Sequence, residues 1–329
     1  MNLRKIFLNL FVLLMLVVSV EASYSLGNSY RDQMEEMAKN YAEKKYDRKY
    51  KVEKSYDNGL SVVLGEYKDT SWFTSEKISQ CTVFLINVNN HINANPGVAN
   101  IADKYNINSD NCGESVMMLK IKKYIDANFI SKYYNLDKLD FRISVIYNTP
   151  KNYYDLERLS YRNKSTYKIF NQDNNWNLTA KEWLVKHKDK IQINNASINI
   201  YEQPETAENI AKAMEFGYKL DKYLRSLTDS HKINGIYIYL YTYNKDYVVK
   251  HGGTIWYTRL KGDKYYKYLR NYFFTLGDGG YKGYIPITSS NIFELVYITS
   301  SNREDNVLIK NTKYYQPVKK ILAEKFENK

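Results

Sequence analysis

The stretch from residue 204 to residue 244 constrains the fold most, because two different hydrophobic periods follow each other in it. Thr206 fits a helix N-cap, and Glu208 falls in the first turn, where the helix dipole favours an acid. Apolar residues then recur every three or four positions, which predicts an amphipathic helix: Ile210, Ala213, Met214, Gly217, Leu220, Leu224 and Leu227. After a break over residues 229–235, apolar residues alternate with tyrosines at 236–241, the period of a strand.

Weaker patterns of the same two kinds occur along the rest of the chain. Asn58-Gly59 lies between two alternating runs, which predicts a hairpin, and Thr179 with Glu182 forms a capping box. Helices are predicted at 29–45, 115–134, 179–190, 264–274 and 314–326. Strands are predicted at 50–56, 60–67, 82–88, 141–147, 196–201, 248–249, 254–259 and 292–299, with residues 89–113 irregular. The expected fold is therefore α+β, in two small domains of helices and antiparallel sheet over 23–136 and 137–329.

The first 22 residues fit a secretory signal peptide. Arg4 and Lys5 precede an apolar run from Ile6 to Val20, and Val20-Glu21-Ala22 places small residues at a cleavage site. The run is shorter than the ~20 residues of a membrane span. We expect a secreted, cell-envelope or periplasmic protein; the alternative is an uncleaved N-terminal anchor.

The region from Arg31 to Tyr147 resembles an extracellular module of envelope proteins from low-GC bacteria. The similarity rests on MAKNYAEKKYDRKYKVEKSY (37–56), on IADKY (101–105) before a helix, and on LDFRISVIY (139–147). It implies a helix that ends in a Lys- and Tyr-rich turn and leads into a curved sheet. It implies no activity and no catalytic residues. The chain departs from lipid-anchored envelope proteins because no cysteine lies near the predicted cleavage site.

The net charge narrows the class of partner. It is +12 for the whole chain, and +11 without the signal segment, whose Arg4 and Lys5 outweigh Glu21 by one. A basic exported protein is attracted to an anionic envelope polymer, an acidic glycan or a membrane surface. Nucleic acid is excluded as an expected partner by the compartment and by the lack of any nucleic-acid-binding motif. The charge is spread along the chain, so a solvated surface also explains it.

The two cysteines, Cys81 and Cys112, permit one disulfide in an exported chain. Such a bridge closes a loop of about 30 residues and contributes roughly 3 kcal/mol in the chain-entropy model. The alternative is two reduced, buried thiols.

Short patterns for metal or covalent chemistry are present but incomplete. The four histidines, at 91, 187, 231 and 251, have no metal-binding spacing. Residues 173–177 start like a calcium loop, yet the central glycine is missing and Leu184 replaces the bidentate acid. Ser165 and Lys168 have the Ser-x-x-Lys spacing but lie in an unpatterned polar stretch. The glycines at 277–283 do not join a strand to a helix, so no nucleotide loop is predicted. We expect neither a metal nor a cofactor.

Residues 247–284 contain the one cluster in which aromatic and basic side chains are mixed. Aromatic rings stack on sugars and cations, and lysine or arginine binds acidic groups. The candidate ligand-binding residues are Lys250, His251, Trp256, Tyr257, Arg270, Tyr281 and Lys282. The alternative is that the aromatic residues fill a core. The sequence favours a non-catalytic binding or accessory module for an anionic envelope polymer or glycan. The second interpretation is an exported hydrolase of glycan or peptidoglycan, whose catalytic carboxylates only the fold would bring together.

Overall fold

The computed structural model describes residues 31–56, 60–71, 74–87, 105–148, 165–250, 254–256, 268–270, 272–276, 286–299 and 306–326. The fold is α+β, as the sequence predicts. The chain divides into two compact units, Met1–Val116 and Met117–Lys329. The predicted boundary between residues 136 and 137 stays a prediction.

The N-terminal unit contains helix α1 (31–46), the start of α2 (Cys112–Asn128) and an antiparallel sheet. The sheet has the strand order β1-β2-β3-β4. Its strands are β1 (Tyr50–Tyr56), β2 (Ser61–Ser71), β3 (Thr74–Asn87) and β4 (Tyr105–Asp110). Small and apolar residues of α1 are buried at four-residue spacing, as expected for a helix that packs on a sheet: Met34, Ala38, Ala42 and Tyr46.

One face of this sheet, here the inner face, contacts α1. Ser55, Glu66 and Asp110 share that face, because they pair across the ladder with Val62, Ser79 and Val83. Arg31 of α1 donates to Ser55 at 2.8 Å, and Arg48, just after the helix, donates to Glu66 at 2.6 Å. The opposite, outer face carries the alternate residues of each strand.

Asp110 is the main polar contact between α1 and the sheet. Its buried carboxylate accepts hydrogen bonds from the Tyr41 hydroxyl at 2.9 Å, the Lys45 ammonium at 2.8 Å and the Tyr46 hydroxyl. It also accepts from the backbone N–H of Cys112 at 2.9 Å. Burial, followed by the charge of Asp110, raises the pKa of Tyr46. Cys112 forms a disulfide with Cys81 of β3, with an S–S distance of 2.14 Å.

The C-terminal unit contains most of the helices and a six-stranded sheet of order β12-β11-β10-β7-β6-β5. The strands of this sheet and of a separate ribbon, β8–β9, are β5 (Leu139–Tyr147), β6 (Ile191–Ile200), β7 (Ile233–Tyr241), β8 (Thr254–Trp256), β9 (Tyr268–Arg270), β10 (Tyr272–Leu276), β11 (Val296–Thr299) and β12 (Asn306–Leu308). The helices are α3 (165–171), α4 (Ala180–His187), α5 (Ala207–Ser226), α6 (Lys245–Lys250) and α7 (Tyr315–Phe326), with short 3₁₀ turns between them. β6 and β7 are parallel and joined through α5, so this sheet is mixed rather than purely antiparallel.

The core of the C-terminal unit lies on one face of the six-stranded sheet. Residues of α2, α4, α5 and α7 are buried there against Ile198, Ile238 and their neighbours. Gly217 of α5 allows a close approach, because a Cβ at this position would lie 2.4 Å from Leu276 and 3.2 Å from Ile238. The predicted caps are confirmed: Thr206 accepts from the N–H of Asn209, and Thr179 with Glu182 forms the capping box.

Several segments differ from the prediction, and Ile292–Glu294, expected in a strand, forms a 3₁₀ turn before β11. The region expected to be irregular contains β4, because pairing with β3 satisfies its backbone groups. The polar stretch before Trp176 contains α3. Val248 and Val249, expected in a strand, lie in α6, where the Asn244 side chain accepts from the Tyr247 N–H. The helix expected at 264–274 is wrong where the structure describes it, because β10 pairs with both β7 and β11.

No helix in the described part of the chain is long and apolar enough to cross a membrane. The predicted signal segment lies outside the described residues.

Candidate functional site

Only part of the predicted aromatic–basic cluster falls on described residues. Lys250 is exposed at the end of α6. Trp256 and Arg270 are described in their backbone and lie at opposite ends of the β8–β9 ribbon, since Thr254 pairs with Arg270 and Trp256 with Tyr268. The other four candidates, His251, Tyr257, Tyr281 and Lys282, lie outside the described residues. The cluster as a ligand site stays a prediction.

The face of the six-stranded sheet opposite its core is polar, and we call it the polar sheet face. Its central row runs across the strands from Asp140 through Asn199 to Tyr239, and the next row from Arg142 through Ser197 to Tyr237. Residues directly opposite each other on neighbouring strands point to the same side. The face consists of Asp140, Arg142 and Ser144 on β5, Asn195, Ser197 and Asn199 on β6, and Tyr237 and Tyr239 on β7.

Tyr237 lies over a glycine of its own strand. A Cβ built on Gly235 would lie 2.8 Å from both Cε2 and the hydroxyl oxygen of Tyr237. The ring therefore occupies the space that a side chain at position 235 would fill. Tyr237 is half-buried, so the ring is supported by the strand and keeps part of its surface accessible. A supported ring of this kind can stack on another flat or weakly polar surface at little entropic cost.

The polar sheet face ends at the carboxyl ends of β6 and β7, where Tyr201 and Tyr241 stack with ring centroids 5.1 Å apart. Tyr201 donates to Asp140 at 2.8 Å, and Lys245 of α6 forms an ion pair with the same carboxylate at 2.9 Å. Burial, followed by the hydrogen bond to Asp140 and the charge of Asp140, raises the pKa of Tyr201. Val248 packs against this pair of rings, so α6 is fixed at this end of the face.

Two further tyrosines, one just before α6 and one within it, extend the aromatic surface. Tyr243 and Tyr247 have ring centroids 4.6 Å apart, and both are exposed. The connection between β7 and α6, which carries Tyr243, is anchored by backbone bonds, since the N–H of Glu202 donates to the Tyr243 carbonyl and the N–H of Gln203 to the Tyr241 carbonyl. The site thus combines partly accessible rings with amide and hydroxyl groups.

The charge of the site is mixed, with basic groups at its margins. Arg142 is exposed, and among the described residues none pairs with it; Lys250 is exposed as well. Lys245 is paired with Asp140, and Lys138 with Glu202. Rows of amides and hydroxyls hydrogen-bond sugar hydroxyls, tyrosine rings stack on pyranose faces, and unpaired basic groups bind carboxylates or phosphates. The arrangement can bind a polar, weakly acidic chain molecule.

Catalytic and metal chemistry have little support among the described residues. They include no group of three or more His, Cys, Asp or Glu side chains that could hold a metal ion. The three buried aspartates each have a basic partner: Asp110 has Lys45, Asp126 has Lys122 and Asp221 has Arg225. Each of these carboxylates has its own ion-pair partner, as expected for structural groups, although Oδ1 of Asp126 has no hydrogen-bond partner among the described residues.

Comparisons of this chain with known proteins do not identify a family for it. No protein-family model, curated protein or solved structure matches the chain. The interpretation of the site therefore rests on its own chemistry.

The polar sheet face was not among the sequence-predicted sites, although its signal is present in the sequence. Three strands alternate polar residues with apolar ones: Asp140, Arg142 and Ser144; Asn195, Ser197 and Asn199; Tyr237 and Tyr239. Each alternation predicts a strand with one face exposed to solvent. Only the observed strand order and register place the three polar rows side by side.

His187, on the core side of this unit, is a buried titratable group. It is 5% exposed, its ring lies 5.0 Å from that of Trp183, and neither of its nitrogens has a hydrogen-bond partner among the described residues. Burial, with smaller effects from Lys186 and Lys190, lowers the pKa of His187 to about 4. An unfolded histidine titrates near ~6.5, so between these two values the unfolded state binds more protons than the folded state.

We therefore expect stability to fall as the pH drops from about 6.5 to about 4, by on the order of 2–3 kcal/mol from this group. The variant His187→Phe should lose this part of the acid sensitivity, because it keeps the aromatic packing and removes the titrating group. Urea denaturation at a series of pH values measures the difference. Lys181→Gln, a change at an exposed position of the same helix, is the control and should keep the pH dependence of the parent. Equal acid sensitivity in His187→Phe and the parent would contradict the assignment.

Proposed function

We propose that the protein is an exported, non-catalytic binding module for an anionic glycan or related envelope polymer, and that it binds through the polar sheet face. The observation that carries the proposal is the supported ring of Tyr237 beside rows of amide and hydroxyl groups. Export is supported by the signal-peptide pattern of residues 1–22.

The chemistry of the face favours a glycan over an apolar ligand. Asn195 and Arg142 are exposed, while Ser197 and Asn199 are half-buried with polar side chains directed to the same side. An apolar ligand would leave the side chains of Asn195, Arg142 and Ser197 without new hydrogen-bond partners, at a cost of about 1–3 kcal/mol for each group that it buried. A glycan offers a hydroxyl to each of them. An acidic glycan also satisfies Arg142 and is favoured by the net charge of +12.

The proposal is tested by binding of oligogalacturonate, an acidic glycan, with the neutral chitooligosaccharides as a comparison. We expect Tyr237→Ala to weaken oligogalacturonate binding roughly tenfold or more, because an aromatic contact at the centre of a binding surface is lost. Arg142→Ala should weaken binding to oligogalacturonate and leave binding to the neutral sugar nearly unchanged. Isothermal titration calorimetry measures both constants. Binding of the acidic glycan should also weaken as salt is raised, because exposed charges are screened over ~8 Å at ~0.15 M.

Tyr167→Ala is the matched control, because Tyr167 is also half-buried but lies on α3. Its binding should equal that of the parent. If Tyr237→Ala and Tyr167→Ala have the same effect, the polar sheet face is not the binding surface. Shortening of the glycan during incubation would instead support the exported hydrolase and overturn the non-catalytic part of the proposal.

A further inference from the structure

The outer face of the N-terminal sheet exposes large apolar side chains that its core does not use. Tyr56 is 49% exposed, Phe84 38% and Ile86 45%. Tyr56 and Phe84 both lie opposite Ser61, so they occupy one row of the sheet, and Ile86 follows Phe84 at a two-residue interval in β3. All three therefore point to the side opposite α1.

Two lysines lie on the same face beside these residues. Lys51 pairs with Gly65 and Lys54 with Val63, two positions that share the outer face of β2. The bulge between Val52 and Lys54 brings both lysines to this side. Both are exposed, and the Lys54 ammonium lies 5.0 Å from the centroid of the Tyr56 ring. The Glu53 carboxylate pairs with Lys77 at 2.7 Å and also interacts with Lys54, so Lys51, Lys54, Lys77 and Glu53 together keep a charge of 3 − 1 = +2.

We propose that this face, defined by Lys51, Lys54, Tyr56, Phe84 and Ile86, docks on an anionic phospholipid surface. Phe84 and Ile86 have no polar atom with which to bind a sugar, but they can insert into the boundary between headgroups and acyl chains. The lysines reach past the apolar side chains to the phosphate groups, and the exposed tyrosine suits the interface itself. Charge complementarity selects an anionic surface over a neutral one. The inference stands apart from the polar sheet face of the other unit and does not depend on glycan binding.

The test is cosedimentation of the chain from residue 23 onward, the predicted mature protein, with phospholipid vesicles. We expect binding to mixed phosphatidylcholine–phosphatidylglycerol vesicles and weak binding to phosphatidylcholine alone. Lys51→Gln with Lys54→Gln should weaken binding to the anionic vesicles about 25-fold, at about fivefold per lysine. Phe84→Ser with Ile86→Ser should also reduce binding and make the remainder more sensitive to salt, because only the electrostatic part is left.

The matched control is Lys123→Gln with Lys181→Gln, which removes the same charge from exposed positions of α2 and α4. It should bind the anionic vesicles nearly as the parent does. Equal weakening by the two lysine pairs would show a general attraction of a basic protein and overturn the proposal, as would equal binding to both kinds of vesicle. Parent-like vesicle binding by the Phe84→Ser, Ile86→Ser variant would also overturn it. The lysine variants leave the apolar residues intact, so the test does not depend on the folding of the serine variant.

Discussion

Replacing Asp221 by alanine is expected to lower the free energy of unfolding by about 3–5 kcal/mol, because it leaves a buried guanidinium without its carboxylate. Asp221 is 0% exposed and accepts from Nε of Arg225 at 2.9 Å and from the N–H of Ile287 at 3.0 Å. Nη1 of Arg225 in turn donates to the His231 carbonyl at 2.6 Å. The pair joins α5 to two separate loops. Urea denaturation followed by tryptophan fluorescence measures the loss, since Trp183 lies in the same core.

Asp229→Ala is the control for this experiment. Asp229 is also ion-paired, to Lys188 at 3.1 Å, but both side chains are more than half exposed, so the change should stay within about 0.5–1 kcal/mol. The double variant Asp221→Leu with Arg225→Leu should recover part of the stability lost in the single variant, because no buried charge is left unpaired. If Asp221→Ala were no more destabilising than Asp229→Ala, the buried pair would have no structural role.

Asp110→Ala is expected to destabilise the N-terminal unit by about 3–4 kcal/mol. The aspartate satisfies the Lys45 ammonium, the hydroxyls of Tyr41 and Tyr46 and the Cys112 N–H, and its removal leaves buried donors unpaired. Hydrogen exchange followed by mass spectrometry gives a local measurement. The amides of α1 and β4 should exchange about 10²- to 10³-fold faster in the variant, with the disulfide intact.

Asp32→Ala is the matched control for Asp110→Ala, because Asp32 is an exposed acid on helix α1. Its exchange rates should stay close to those of the parent. Lys45→Met should have a smaller effect than Asp110→Ala, since the carboxylate keeps its other donors. Unchanged protection of α1 in Asp110→Ala would mean that apolar packing alone holds this helix to the sheet.

The elements that the sequence predicted well are those in which local and tertiary preferences agree. In α5 and β7 the same residues that set the period, such as Ile210 and Ile238, are fully buried. The caps at Thr179 and Thr206 could be predicted because they use side chains within three residues of the helix start. Local chemistry decides such features, so a sequence alone can predict them.

The strands and sheet faces that the prediction missed depend on distant partners. The spacing of Tyr268 and Tyr272 fits a helix, but the strands on either side of β10 supply its hydrogen bonds from residues about 30 positions before it and 20 after it. The polar sheet face required the order of β5, β6 and β7, and the outer face of the other sheet required a bulge at Glu53. Register is a tertiary property, and the alternation of polar and apolar residues along one strand does not reveal which strand lies beside it.

At Gly235, the residue that would best stabilise strand β7 differs from the residue that leaves room for the ring of Tyr237. Glycine in the interior of a strand loses about 1 kcal/mol through backbone entropy, and a β-branched residue would suit the strand better. Such a residue would occupy the volume now filled by the ring of Tyr237. Selection for thermal stability alone would thus favour a larger residue in place of Gly235. The variants selected in this way would have a displaced Tyr237 ring. Gly235 therefore lowers the stability of the strand and at the same time allows the Tyr237 ring to keep its position.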